Sequence, residues 1–188
     1  MKINRHLINL MGFITLYGFS LLGFLIIYFL APKVQFLDLV TDGSSWPVQL
    51  LVGALFGVAA FFVINVFIQS KFLDDLTHYV YDLAKQLSWL DIFFLSVCAG
   101  VGEEILFRVG IQYFLGVWPT AVLFILLHGY FSLSDWRVTL YGLLMTLISG
   151  GFGILYLKYG IGSAMFAHFL IDFIILGMLK VRQVKLAG

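Results

Sequence analysis

The sequence predicts an all-α fold, a polytopic membrane bundle of about six transmembrane helices with one possible interfacial helix. Three observations predict it. The 188 residues are 62% hydrophobic and only 11% charged, with a mean hydropathy of +1.03, whereas a soluble domain carries roughly 25% charged residues. Apolar runs of about 20 residues, enough to cross a bilayer at ~1.5 Å per residue, recur along the chain. Charges otherwise gather in the short connections between those runs. The chain reads as one membrane domain over residues 1–188, with no internal repeat, no low-complexity tract and no room for a soluble second domain.

Residues 8–30 form the first expected span, closed by Ala31-Pro32-Lys33. Lys2 and Arg5 precede it, but the run is too long for a signal-peptide core and lacks a small-residue cleavage site, so it is expected to be retained. The second span covers 46–69. Its Pro47 suits a first helical turn, and its Gly53-x-x-x-Gly57 pair offers a small-residue face for close packing. Residues 71–90 follow, with Phe72, Leu73, Leu76, Tyr79, Val80, Leu83, Leu87 and Leu90 at helical spacing and Lys71, Asp74, Asp75, His78, Asp82 and Lys85 mostly opposite. That pattern suits a helix in the membrane interface or an extension of a neighbouring span. The third span is 91–114. The fourth, 117–133, is short, with Pro119 in its first turn; 136–158 and 161–180 are the fifth and sixth.

Basic residues set the expected orientation. Six spans put both termini on one side with Lys2, Arg5, Lys71, Lys85, Arg137, Lys180, Arg182 and Lys185, against Lys33 and Lys158 on the other. The positive-inside rule then predicts a multi-pass cell-membrane protein with both termini cytoplasmic. The single cysteine, Cys98, excludes an internal disulfide and a cysteine metal cluster, and reads as packing.

Six ionisable residues fall inside the apolar runs: Glu103, Glu104, Arg108, His128, His168 and Asp172. Such groups are costly at membrane depth and normally face a protein interior. Glu104 and Arg108 stand at i, i+4 with the acid first, the favoured order for an ion pair, so they read as a structural pair. Glu103 is turned by about 100° from Glu104 and is left as the reactive carboxylate. Phe124 and His128 share a helix face, as do His168 and Asp172, where the carboxylate is placed to orient or charge the imidazole. Counted from the ends assigned to the cytoplasm, Glu103, His168, Asp172 and His128 lie ~18, ~18, ~12 and ~8 Å deep, levels compatible with one shared site.

In this order, Glu103-Glu104-x-x-x-Arg108, Phe124-x-x-x-His128 and His168-x-x-x-Asp172 resemble the motifs of the CPBP intramembrane protease family. That family includes the type II CAAX prenyl endopeptidases and bacterial Abi-type proteins. The resemblance covers roughly residues 88–177, the family-like catalytic core, and leaves the first two spans unassigned. It implies hydrolysis of a peptide bond within the membrane by a glutamate-activated water. Carried over, Glu103 is the general base and His128 positions and polarises the water. His168 and the residue at 172 stabilise the oxyanion. The family pattern has asparagine or aspartate at this last position. An asparagine donates a hydrogen bond there but an ionised aspartate does not. Either Asp172 pairs with His168 and favours its protonated, donating form, or burial keeps Asp172 itself protonated.

Two histidines and a glutamate also suit a three-ligand catalytic zinc site. The His-Glu-x-x-His helix motif is absent and the resemblance leans to metal-free chemistry, so no cofactor is expected, with zinc as the alternative. A serine-protease elbow is missing, and Asp172 has no aspartate partner. The expected partners are the lipid bilayer and a membrane-embedded or lipid-anchored protein or peptide substrate, with no nucleic acid. A prenylated C-terminal tail, a leader peptide, a pheromone precursor and a membrane anchor all remain open as substrates. Two other functions stand beside the protease. One is a non-catalytic bacteriocin-immunity or interaction protein of the same fold. The other is a proton-coupled transporter, which no repeat or pair of broken helices supports. The cluster Ser149-Gly150-Gly151-x-Gly153 reads as tight packing, with flexible substrate access as the alternative.

Overall fold

Apolar periods without alternation build helices, and helices are what the computed structural model contains. It describes residues 5–69, 81–132 and 134–186, and among these there is no strand. Helix α1 runs over Arg5–Phe13, passes through π-helical turns at Ile14–Phe19 and continues over Ser20–Leu30. A short α2 (Phe36–Thr41) and the long α3 (Trp46–Gln69) follow. Helix α4 comprises Trp89–Glu104, a π-helical stretch Ile105–Ile111 and a last turn Gln112–Leu115. Helices α5 (Val117–Leu127), α6 (Trp136–Tyr159) and α7 (Ile161–Leu186) complete the bundle.

Most of the expected spans are present with boundaries moved by a few residues. The third starts at Trp89 rather than 91 because Ser88 caps it. The Ser88 hydroxyl accepts the Asp91 N–H at 3.1 Å and the Asp91 carboxylate accepts the Ser88 N–H at 2.7 Å, a reciprocal cap that satisfies orphan backbone donors. The interfacial helix expected at 71–90 lies largely outside the described residues, although 81–86 are helical. Helix α2 was not foreseen, since six residues carry too little periodicity to read.

Among the described residues, four helices are long and apolar enough to cross a membrane by themselves: His6–Leu30, Trp46–Ile68, Trp136–Tyr159 and Ile161–Val181. Helix α4 is long enough but has Glu103, Glu104 and Arg108 within it. The fourth expected span differs more. Helix α5 stops at Leu127, about 16 Å in length, roughly half of a ~30 Å hydrocarbon layer. Gly129, at φ +75°, turns the chain; its N–H bonds Leu126 O at 3.1 Å and the Tyr130 N–H bonds Ile125 O at 3.3 Å. This is the double bond pattern of a Schellman stop. The described residues between Gly129 and Asp135 are not helical, and the Asp135 carboxylate accepts the Arg137 N–H and starts α6.

Glycines set the two contacts that matter most for the site. Gly53 and Gly57 bring α3 against the α7 backbone at Ser163 and Ala167, so the small-residue pair is a packing face. Gly102 lies against the carbonyl of Thr15 on α1, where a Cβ would overlap it. A core of Ala60, Ile64, Ile148, Phe152, Ala164, Ala167 and Ile171 binds α3, α6 and α7 together. At the end of the bundle near Gly160, Tyr156 Oη donates to Leu39 O at 3.2 Å and Ser44 N to Tyr159 O at 2.8 Å.

Candidate active site

Helix α4 delivers two adjacent carboxylates in different directions, as a 100° step per residue requires. Glu104 and Arg108 are completely buried and pair at 2.8 Å, Nε to Oε2. The rest of the guanidinium is engaged as well. Its Nη2 donates to Ser149 Oγ at 2.8 Å, its Nη1 approaches Gln112 Oε1 at 3.4 Å, and Gln112 Nε2 reaches Gly153 O at 3.1 Å. The Phe124 ring lies 5.7 Å from the guanidinium carbon and packs edge-on to Phe107. The ion pair read from spacing is therefore present, embedded in a network that ties α4 to α6. Ser149 and Gly153 belong to the small-residue cluster, so that cluster supplies polar partners as well as room. Sequence reasoning missed both, because nothing in the run marks which hydroxyl faces α4.

The second oxygen of Glu104 has a partner that the spacing did not indicate. His168 Nδ1 donates to Glu104 Oε1 at 2.8 Å. Asp172, expected to orient this imidazole, sits 3.6 Å from Nε2 instead and makes no hydrogen bond with it. Helix spacing alone favoured Asp172; helix packing between α4 and α7 brings Glu104 closer. Phe152 stacks on the ring at 5.3 Å and holds its plane.

His128 ends α5. Its Nδ1 donates to Phe124 O at 2.7 Å, and the ring is stacked between Phe124 at 4.2 Å and Tyr130 at 6.0 Å. A carbonyl oxygen only accepts, so Nδ1 carries hydrogen and Nε2 is the free face. That face points at Glu103: His128 Nε2 is 3.5 Å from Glu103 Oε2, and His168 Nε2 is 3.9 Å from the same oxygen. Glu103 Oε2 is buried and accepts no hydrogen bond among the described residues. Thus α4, α5 and α7 bring Glu103, His128, His168 and Asp172 to one place. The Glu104–Arg108 pair stands behind them.

A cavity of about 180 Å³ opens onto this cluster, lined by Glu103 and Asp172 together with Thr15, Ser96, Cys98 and Leu176. It lies between α1, α4 and α7. The first span, left without a role by sequence, forms one wall. Among the described residues no three His, Cys, Asp or Glu side chains stand in a metal-holding arrangement. Chemically, the site offers two carboxylates on the wall of one small cavity, Glu103 and Asp172, with two imidazoles anchored through Nδ1 close to the first.

Residues 85–174 match the family model described as Rce1-like, type II CAAX prenyl endopeptidase. This stretch runs from just before α4 into α7 and includes all six intramembrane ionisable residues. No curated protein and no solved structure gives a match.

Proposed function

We propose that this chain, whose residues 85–174 match the Rce1-like type II CAAX prenyl endopeptidase family model, hydrolyses a peptide bond of a membrane-associated protein or peptide with a water activated by Glu103. The observation that carries this reading is the Glu103 carboxylate. Its Oε2 is buried, accepts no hydrogen bond among the described residues and lies 3.5 and 3.9 Å from two histidine Nε2 atoms, while the side chain lines a cavity. A water seated among these three atoms gives its proton to Glu103 as its oxygen attacks the scissile carbonyl carbon. His128 accepts the second water hydrogen at Nε2 and fixes the direction of attack.

The tetrahedral intermediate carries an oxyanion. His168 meets it as an imidazolium, with Nδ1–H on Glu104 and Nε2–H on the oxyanion. The Glu104 carboxylate, itself held by Arg108, supports that charged form. Preorganised donors of this kind contribute about 2.7–4 kcal/mol each in a water-poor site. No resident metal is required by this sequence of steps.

Glu103→Gln tests the reading. The isosteric amide cannot take the proton, so cleavage of a membrane-anchored peptide in proteoliposomes is expected to fall at least ~100-fold with unchanged thermal melting, while a chelator leaves the parent rate unchanged. Unimpaired cleavage by the amide variant would sink the proposal.

A further inference from the structure

We propose that Asp172 is the general acid of the reaction, protonating the leaving amine, and that His168 Nε2 returns the proton from Glu103 to it. The proposal rests on the protease reading above and differs from a purely oxyanion-binding role for position 172.

Four geometric facts carry it. Asp172 and Glu103 line the same cavity. The Asp172 side chain is 35% exposed to that space, whereas Glu104 is completely enclosed. Asp172 Oδ2 and Glu103 Oε2 both lie near one nitrogen, His168 Nε2, at 3.6 and 3.9 Å. Finally, His168 Nδ1 is committed to Glu104, so only Nε2 exchanges protons with the cavity.

Charge bookkeeping agrees. Arg108 balances Glu104, and an imidazolium at His168 balances Glu103. Ionised Asp172, 3.6 Å from the same His168 Nε2, would leave this set of groups with one negative charge in excess, and two carboxylates facing one cavity share a proton rather than both ionise. Protonated Asp172 gives a neutral cluster and a proton donor on the cavity wall. It lies one helical turn beyond His168 towards Leu176, and both Asp172 and Leu176 line the cavity.

The steps balance. The water O–H breaks as Glu103 takes the proton and the water oxygen bonds to the carbonyl carbon. The C–N bond then breaks and its electron pair goes to nitrogen, which takes the proton of Asp172. A new carboxylic acid and an amine result, with Glu103 protonated and Asp172 ionised. Nε2–H of His168 then passes its proton to Asp172 and is refilled from Glu103. The resting state is restored without oxidant or cofactor.

The test separates the leaving-group step from the others. A fluorogenic CAAX-type farnesyl peptide and its ester analogue, in which oxygen replaces the scissile nitrogen, are presented in proteoliposomes to the full chain. An alkoxide leaving group needs far less proton assistance than an amide nitrogen. Asp172→Asn, which keeps a hydrogen-bond donor, is expected to lose amide cleavage by about 100-fold while ester cleavage stays near the parent rate; Asp172→Glu restores part of the amide activity. Near-parent amide cleavage by Asp172→Asn, or equal loss on amide and ester, overturns the general acid. Glu103→Gln run in parallel keeps the two readings apart, for it should lose both substrates. Cleavage of both by Glu103→Gln overturns the Glu103-activated water whatever Asp172 does.

Discussion

Arg108 shows how a single buried cation organises its surroundings. It bonds Glu104 and Ser149, approaches Gln112 and lies over Phe124, with no exposure. Removing it leaves the Glu104 charge enclosed and unbalanced, which costs about 3–5 kcal/mol. Arg108→Ala is therefore expected to lower the thermal melting point sharply. Arg108→Lys keeps the charge but not the planar fork and should fall between, as scanning calorimetry in detergent would record. Such residues were legible because ionisable groups inside apolar runs stand out, and i, i+4 spacing pairs those on one helix. Partners across helices were not legible. Glu104 with His168 and Arg108 with Ser149 depend on how α4 meets α7 and α6, and one sequence holds no record of that approach.

At the scale of elements, length and apolarity sufficed for the long helices, and the breaks were what they concealed. Residues 117–133 are apolar enough to read as one run, yet the helix stops at Leu127. Gly129 lies within that run and supplies the stop. The π-helical stretch Ile105–Ile111 left no mark in the sequence. Such stretches occur frequently at functional sites, and this one directly follows the paired glutamates. Gly129 takes φ +75°, where a side chain adds strain. Gly129→Ala is expected to destabilise the chain by about 1–2 kcal/mol, measured as a lowered denaturation midpoint. Cleavage should fall more than stability does, because the neighbouring His128 is re-aimed.

For the whole molecule, four helices among the described residues qualify as spans alone, and the expected count of six needs α4 and the half-length α5 to cross as well. We propose that they do: an even number of crossings would bring both termini to one side, and the bias of lysine and arginine would mark that side as cytoplasmic. Tags at either terminus are then expected to resist external protease in intact cells and to be cut only after permeabilisation; cleavage of one tag in intact cells would contradict it. The first helix, outside the stretch that matches the family, closes one wall of the cavity through Thr15. Its deletion should alter substrate selection as well as stability.

The segment after His128 has a consequence for the surrounding lipid. Ser132 Oγ accepts the N–H groups of Ser134 and Asp135 and lies 3.0 Å from Ser134 Oγ, so the described chain between His128 and α6 carries its own polar partners. Non-helical backbone inside hydrocarbon is tolerated only against protein or water. Wherever this segment meets the bilayer, protein or water must therefore cover it. The proposed hydrolysis consumes a reactant that the bilayer excludes, and a polar segment that starts at His128 would give that reactant a short path to the site.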